Sequence, residues 1–214
     1  SNRLAKARGR PIREDVLERD YCLAWFLTEF GRSDLASVLV FKGGTALKRC
    51  YFADYRFSED LDFTLLEPTP FEEIKRRLET VYASVREQSG IVFSFDREDR
   101  HQHANSHTFY LKYAGPLPSE NDVKVDITVR ERIVTDVQDR PVLRGYDEFA
   151  DLPQDGHVRV YSLEEIVTEK TIALVDRART EPRDIYDFWH LTSNAGIGLD
   201  KEAVCAKLEF RGQA

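Results

Sequence analysis

The chain has 214 residues, 42% hydrophobic and 32% charged, and its net charge is -7, from 31 Lys and Arg against 38 Asp and Glu. That is enough for one large domain or two small ones with a real core; the apolar runs are too short to span a bilayer, and no apolar stretch follows the basic N-terminus as a secretory signal requires. The acidic total argues against a surface that grips nucleic acid everywhere, and three widely spaced cysteines, Cys22, Cys50 and Cys205, with no C-x-x-C, read as reduced, mostly buried thiols of a cytoplasmic protein.

The first thirteen residues carry Arg3, Lys6, Arg8, Arg10 and Arg13 and no acid. Such a block either contacts RNA phosphates or is a frayed, solvated terminus. Ser1-Asn2 and the lack of Met read as a replaced native start. Apolar residues from Val16 to Leu27 recur at helical spacing and predict an amphipathic helix over residues 14–30, with Gly31 placed to end it. Ser33 is placed to cap a short helix at Asp34. Val38 to Phe41 is a compact apolar run that predicts a buried strand, and it leads straight into Gly43-Gly44. Thr45 then stands where the N-cap of the next helix belongs.

Leu61 to Leu66 is a second predicted strand, broken by Pro68 and Pro70, and residues 71–89 form a charged amphipathic helix. Ile91 to Phe95, Thr108 to Tyr113 and Val123 to Val129 are further strands. Turn chemistry over residues 115–122 joins the last two as an antiparallel hairpin. Residues 136–160 read as irregular with short strand pieces. Ser162 and Glu165 form a capping box that opens a helix through about Arg179. Pro182 suits the first turn of another, ending before Gly196. A last helix begins near Asp200 and the sequence stops within it, as if a helical C-terminal portion were truncated. The expected architecture is α/β (α+β): a mixed sheet with flanking helices over residues 1–160, then a helical region over 161–214.

Chemistry concentrates in a few places. In a strand, Asp60 and Asp62 share one face while Leu61 points into the core. Close carboxylates are unfavourable unless protonated or bridged by a cation, and Mg2+ suits hard oxygen ligands. An isolated D-x-D is more often a solvated strand face. The third acid changes the balance: Val123, Val125 and Ile127 line one face of their strand, and Lys124, Asp126 and Thr128 the other. If the two polar faces align, three carboxylates converge, the usual equipment for two Mg2+ ions.

Gly43 and Gly44 admit unusual backbone angles and close approach of a phosphate, with the N–H groups of the following helix facing it. No Walker A spacing is present, and a bare Gly-Gly is more often just a turn. Arg56 and Ser58 could line the same phosphate path. Lys170 is a candidate for the β- and γ-phosphates as a mobile point charge. Arg183, Asp184 and Asp187 stand at helical spacing, a pattern that more commonly means a surface salt-bridge set. A zinc site from His101, His103 and His107 is disfavoured, since no cysteine accompanies them.

These residues resemble a known family. FKGGTALKRCYF, RFSEDLDF, VKVDI, and EEIVTEKTIALVDRA followed by PRDIYDFWHL look like the four motifs of the AbiEii/AbiGii-type nucleotidyltransferase toxins, within the DNA polymerase β-like nucleotidyltransferase superfamily. The resemblance covers about residues 38–192. It implies a nucleotidyltransferase-type sheet in which Gly44 and Thr45 hold phosphate, Asp60 and Asp62 bind Mg2+ with Asp126 as third carboxylate, Lys170 contacts nucleotide and Asp187 is the final-motif aspartate. It also implies a cytoplasmic toxin of a toxin–antitoxin or phage-defence system, with an antitoxin partner, that moves a nucleotide from an NTP to the 3′ end of tRNA. Two other readings stay open: nucleotidylation of a protein or small molecule, and a non-catalytic module that sequesters NTP.

Overall fold

Period-2 alternation along the central strands gives the sheet two chemically different faces. In the computed structural model, which describes residues 12–100, 104–176 and 181–212, seven strands among the described residues form one mixed sheet. They are β1 (Leu39–Lys42), β2 (Leu61–Leu65), β3 (Val92–Glu98), β4 (Ser106–Ala114), β5 (Glu120–Thr128), β6 (Gln138–Pro141) and β7 (His157–Val160). Their spatial order is β3-β4-β5-β2-β1-β7-β6. β2 with β5 and β1 with β7 run parallel; the other neighbours are antiparallel, including the β4–β5 hairpin. The helices are α1 (Glu14–Arg32), α2 (Gly43–Ala46, continued by a wide turn over Leu47–Tyr51), α3 (Phe71–Ser89), α4 (Leu163–Val175), α5 (Pro182–Trp189) and α6 (Lys201–Phe210).

One face is the main core. Leu39 and Phe41 of β1, Leu61, Phe63 and Leu65 of β2, and Val123, Val125 and Ile127 of β5 are buried there with Phe26 and Phe30 of α1 and Ile74 and Leu78 of α3. Phe63 meets Phe30 at 5.0 Å and Phe41 at 5.2 Å between ring centroids. Each such ring removed from water stabilises the fold by about 1.5–3 kcal/mol. α1 does not stop at Gly31. It runs on to Arg32, and a Cβ at Gly31 would strike the His157 carbonyl. That glycine serves close packing of α1 on the backbone of β7.

The other face carries Val40, Asp62, Thr64, Lys124, Asp126 and Thr128. Part of it is covered by a second, smaller core of Val40, Leu47, Tyr55, Tyr161, Ile166, Val167 and Leu191, which anchors α4 and the end of α5. The rest stays open. Ser162 caps α4, its Oγ accepting from the Glu165 N–H at 3.0 Å. The reciprocal half of the expected box is missing: the Glu165 carboxylate turns instead to the Val134 and Thr135 N–H groups, at 3.0 and 2.9 Å. α6 is capped by Asp200 and ends at Phe210, so the chain leaves the helix before its last residues.

Gly43, at φ +82°, already belongs to α2, so Thr45 lies inside the helix and is no N-cap. Cys22 and Cys50 are buried free thiols and Cys205 is exposed. No helix among the described residues is long and apolar enough to cross a membrane. Arg3, Lys6, Arg8, Arg10, His101, His103 and Arg179 lie outside the described residues.

Candidate active site

The strand register builds the site. Thr108 of β4 stands opposite Asp126 of β5, Asp126 beside Asp62 of β2, and Asp62 opposite Lys42 of β1. Four polar side chains therefore form a row across the open face. The Thr108 hydroxyl donates to Asp126 Oδ2 at 3.1 Å, and Lys124 Nζ lies 3.9 Å from the same oxygen. Burial pushes the Asp62 carboxyl up. Lys42 and Lys170 pull the other way, but the negative charges of Asp60 and Asp126 add to burial, and the outcome is about 6, from an ordinary 3.8.

Asp60 is placed differently. β2 begins at Leu61, so Asp60 precedes the paired strand, and the alternation rule does not govern it. Its side chain is 37% exposed and lies 4.0 Å from Arg183 Nη1. Its main-chain carbonyl accepts from Thr45 Oγ1 at 2.6 Å, which ties the D-x-D entry to the glycine helix. A Cβ on Gly43 would collide with the Asp62 carboxylate, and one on Gly44 would lie 2.9 Å from both Arg56 Nη2 and Ser58 Oγ. Arg56 and Ser58 thus sit against the second glycine.

Asp187 is fully buried and saturated. Arg56 grips both its oxygens at 2.7 Å, Tyr55 OH donates at 2.7 Å, and Lys170 Nζ lies 2.8 Å away. Burial pushes this carboxyl up, yet the Arg56, Lys170 and Tyr55 donors hold it below the usual carboxylate range. Lys170 is also fixed by Asp184 at 2.5 Å. It is a held cation where the sequence predicted a mobile one, and the acids of α5 face inward where the helical spacing suggested a surface set.

A second acidic group lies further along the same wall. Lys207 of α6 is fully buried and bridges Glu165 at 2.8 Å and Glu169, with Glu131 at 3.8 Å. Arg211 joins Glu131 and, at 2.7 Å, Glu169. Burial raises Glu169, but Lys42, Lys207 and Arg211 outweigh it and hold the carboxyl at about 2. Residue spacing in α6 gives no hint of this network, since its acids come from other elements.

Part of this surface borders one cleft of about 1260 Å³. Of the residues singled out from the sequence, Gly43, Asp62, Asp126 and Lys170 line it; Gly44, Thr45, Arg56, Ser58, Asp60 and Asp187 do not. Among the described residues no three His, Cys, Asp or Glu side chains form a ready-made metal cluster. The donors nonetheless fit a hard divalent cation. Asp62 and Asp126 are register neighbours that offer carboxylate oxygens only, no donor among the described residues settles the charge of Asp62, and Gly43 leaves space beside it.

A family model described as "Nucleotidyl transferase AbiEii toxin, Type IV TA system" matches residues 25–214. Among solved structures the chain is similar to MenT4, a nucleotidyltransferase toxin from Mycobacterium tuberculosis H37Rv, with a TM-score of 0.62 at 21% identity over 89% of this chain. It spans 62% of the MenT4 chain. ANT(2")-Ia, solved in complex with adenylyl-2"-tobramycin, aligns with 89% of this chain and 95% of its own at 16% identity and a TM-score of 0.44. No curated protein matches by sequence.

Proposed function

The chain belongs to the AbiEii nucleotidyltransferase toxin family, and from that premise we propose that it transfers a nucleoside monophosphate from an NTP to an RNA acceptor, the 3′ end of tRNA. The observation that carries the reading is the Asp62–Asp126 pair, held in register on the floor of the cleft beside Gly43. Asp62 and Asp126, with Asp60 at the edge, would hold Mg2+, two ions in this reading. Bound there, the metal offsets negative charge on the phosphates as it shifts to the leaving group.

The chain's own groups do the rest. The acceptor hydroxyl oxygen attacks the α-phosphorus, a new P–O bond forms, and the bond to the bridging oxygen of the β-phosphate breaks to release pyrophosphate. Asp126, steadied by the Thr108 hydroxyl, would take the acceptor proton. Gly43, which lines the cleft beside Asp62, would leave room for the phosphate chain, with Arg56 and Ser58 packed behind it against Gly44. Thr45 positions Asp60 through its main chain. Lys170 presents charge from the cleft wall, oriented by Asp184 and Asp187. The family description supports a toxin working in a toxin–antitoxin pair; we read its partner as a cognate antitoxin protein, its setting as phage defence and its compartment as the cytoplasm.

The test is incubation with total tRNA, Mg2+ and each α-³²P-labelled NTP in turn, beside Asp62→Asn. Label on tRNA that requires Asp62 is expected, and the labelled NTP names the donor. Label on protein or on an added small molecule instead would replace the RNA acceptor. No label and no NTP binding would overturn the enzyme reading.

A further inference from the structure

Lys42 belongs to none of the groups assigned above, yet it closes the polar row next to Asp62. Its side chain leaves β1, passes over β2 and donates from Nζ to Thr128 Oγ1 of β5 at 2.8 Å. The ammonium therefore lies over the row of acids on the cleft face. The Tyr161 ring stands 5.6 Å from it, and Thr64 and Tyr161 share a 2.6 Å hydroxyl contact that fixes the ring. An ammonium has three donors; here one meets a hydroxyl and the ring face adds a weak attraction.

The other cations around the cleft are placed otherwise. Lys170 is fixed between Asp184 and Asp187, and Arg211 between Glu131 and Glu169. Lys124 approaches Asp126 at 3.9 Å, and Arg130 lies on the exposed rim, 5.5 Å over the Phe210 ring. Among the described residues Lys42 has no carboxylate within ion-pair distance. Its charge is felt at longer range by Asp62 and Glu169, but it does not settle Asp62.

We propose that the Lys42 ammonium is a phosphate-binding group of the cleft, donating to non-bridging oxygens of the nucleotide's phosphate chain beside Asp62 and Asp126. The inference rests on the nucleotidyltransferase reading. A phosphate brought to the two acids by a shared cation still carries negative oxygens on its other side. A rigid strand holds Lys42 there, as a compact point charge with donors to spare. Removing such a charge-assisted hydrogen bond costs about 10- to 100-fold in affinity.

The probes are Mg2+-NTP, using each NTP in turn, and Mg2+-tripolyphosphate, measured by calorimetry. Lys42→Gln keeps an N–H for Thr128 without the charge, and Lys42→Arg keeps the charge. Lys42→Gln is expected to weaken NTP and tripolyphosphate alike by about 10- to 100-fold, and Lys42→Arg, which keeps the charge in a larger planar group, to weaken them less. Melting curves give the folded fraction by which each constant is corrected. On the unaltered chain, reductively ¹³C-methylated, the Lys42 signal (assigned by its loss in Lys42→Arg) should move on adding Mg2+-NTP. Normal wild-type binding with an unweakened Lys42→Gln, or an unmoved Lys42 signal at saturating NTP, overturns the role of Lys42 alone. Wild-type protein that binds neither NTP nor tripolyphosphate overturns the nucleotidyltransferase reading, and Lys42 with it.

Discussion

Asp187 is fully buried and Asp62 half-buried on the cleft floor, burial pushes both carboxyls up, and both feel the charge of Lys170. Their carboxyls shift in opposite directions. Asp187 receives Arg56 on both oxygens, Tyr55 and Lys170, and stays ionised below the usual range. Asp62 faces Asp126 in register and Asp60 close by, and rises to about 6. Burial acts the same way on both, so the surrounding donors decide the difference. The chain can neutralise a buried carboxylate completely, as it does at Asp187 and again with Lys207 and Arg211 at Glu169. At Asp62 it does not, which leaves charge for something the chain itself does not supply.

The largest expected effect falls on activity. Asp62→Asn should lower nucleotidyl transfer by roughly 1,000-fold or more, read by label transfer; near-normal transfer would remove Asp62 from the site. Asp187→Ala acts on the fold instead. It leaves Arg56 and Tyr55 without their carboxylate and Lys170 with Asp184 alone, and should cost about 3–5 kcal/mol in urea unfolding, as breaking buried ion pairs does. A cost under about 1 kcal/mol would mean that its four donors are dispensable.

The two aspartates should also part in their response to pH. A carboxyl raised from 3.8 to about 6 favours the folded state when protonated. Stability is therefore lost as pH climbs between these values, and the deficit is complete above them. Asp62→Asn removes the deficit. We expect it to gain about 1–2 kcal/mol at neutral pH without Mg2+, less than the full shift implies because the group borders the cleft, and nothing below about pH 4. A variant less stable than wild type at neutral pH would contradict this. Asp200→Ala, finally, removes the α6 cap at a cost of about 1 kcal/mol. It should loosen the Lys207 network while Asp62 still titrates near its present value, which carboxyl NMR would show.

Local pattern carried the central strands, because alternation is itself local: Val123, Val125 and Ile127 put Asp126 on the polar face before any partner strand is known. The glycine turn and the helix beginning at Pro182 follow the same way. Asp60 was harder, since alternation counts only inside a strand and β2 starts one residue later. Thr45 resembled a cap because the helix start depends on the positive φ of Gly43. Lys42 and Lys207 carry no local signal at all. Their partners, Thr128 and Glu165, are distant in sequence and meet them only through the sheet register and the packing of α6 on α4.

We expect the uncompensated charge at Asp62 to be offset by a divalent cation. Thermal melting of wild type and Asp62→Asn at neutral pH, with and without saturating Mg2+, tests it most directly. Mg2+ is expected to stabilise wild type and close the gap to Asp62→Asn, which itself barely responds. Equal responses of the two proteins to Mg2+, or none from wild type, would contradict it.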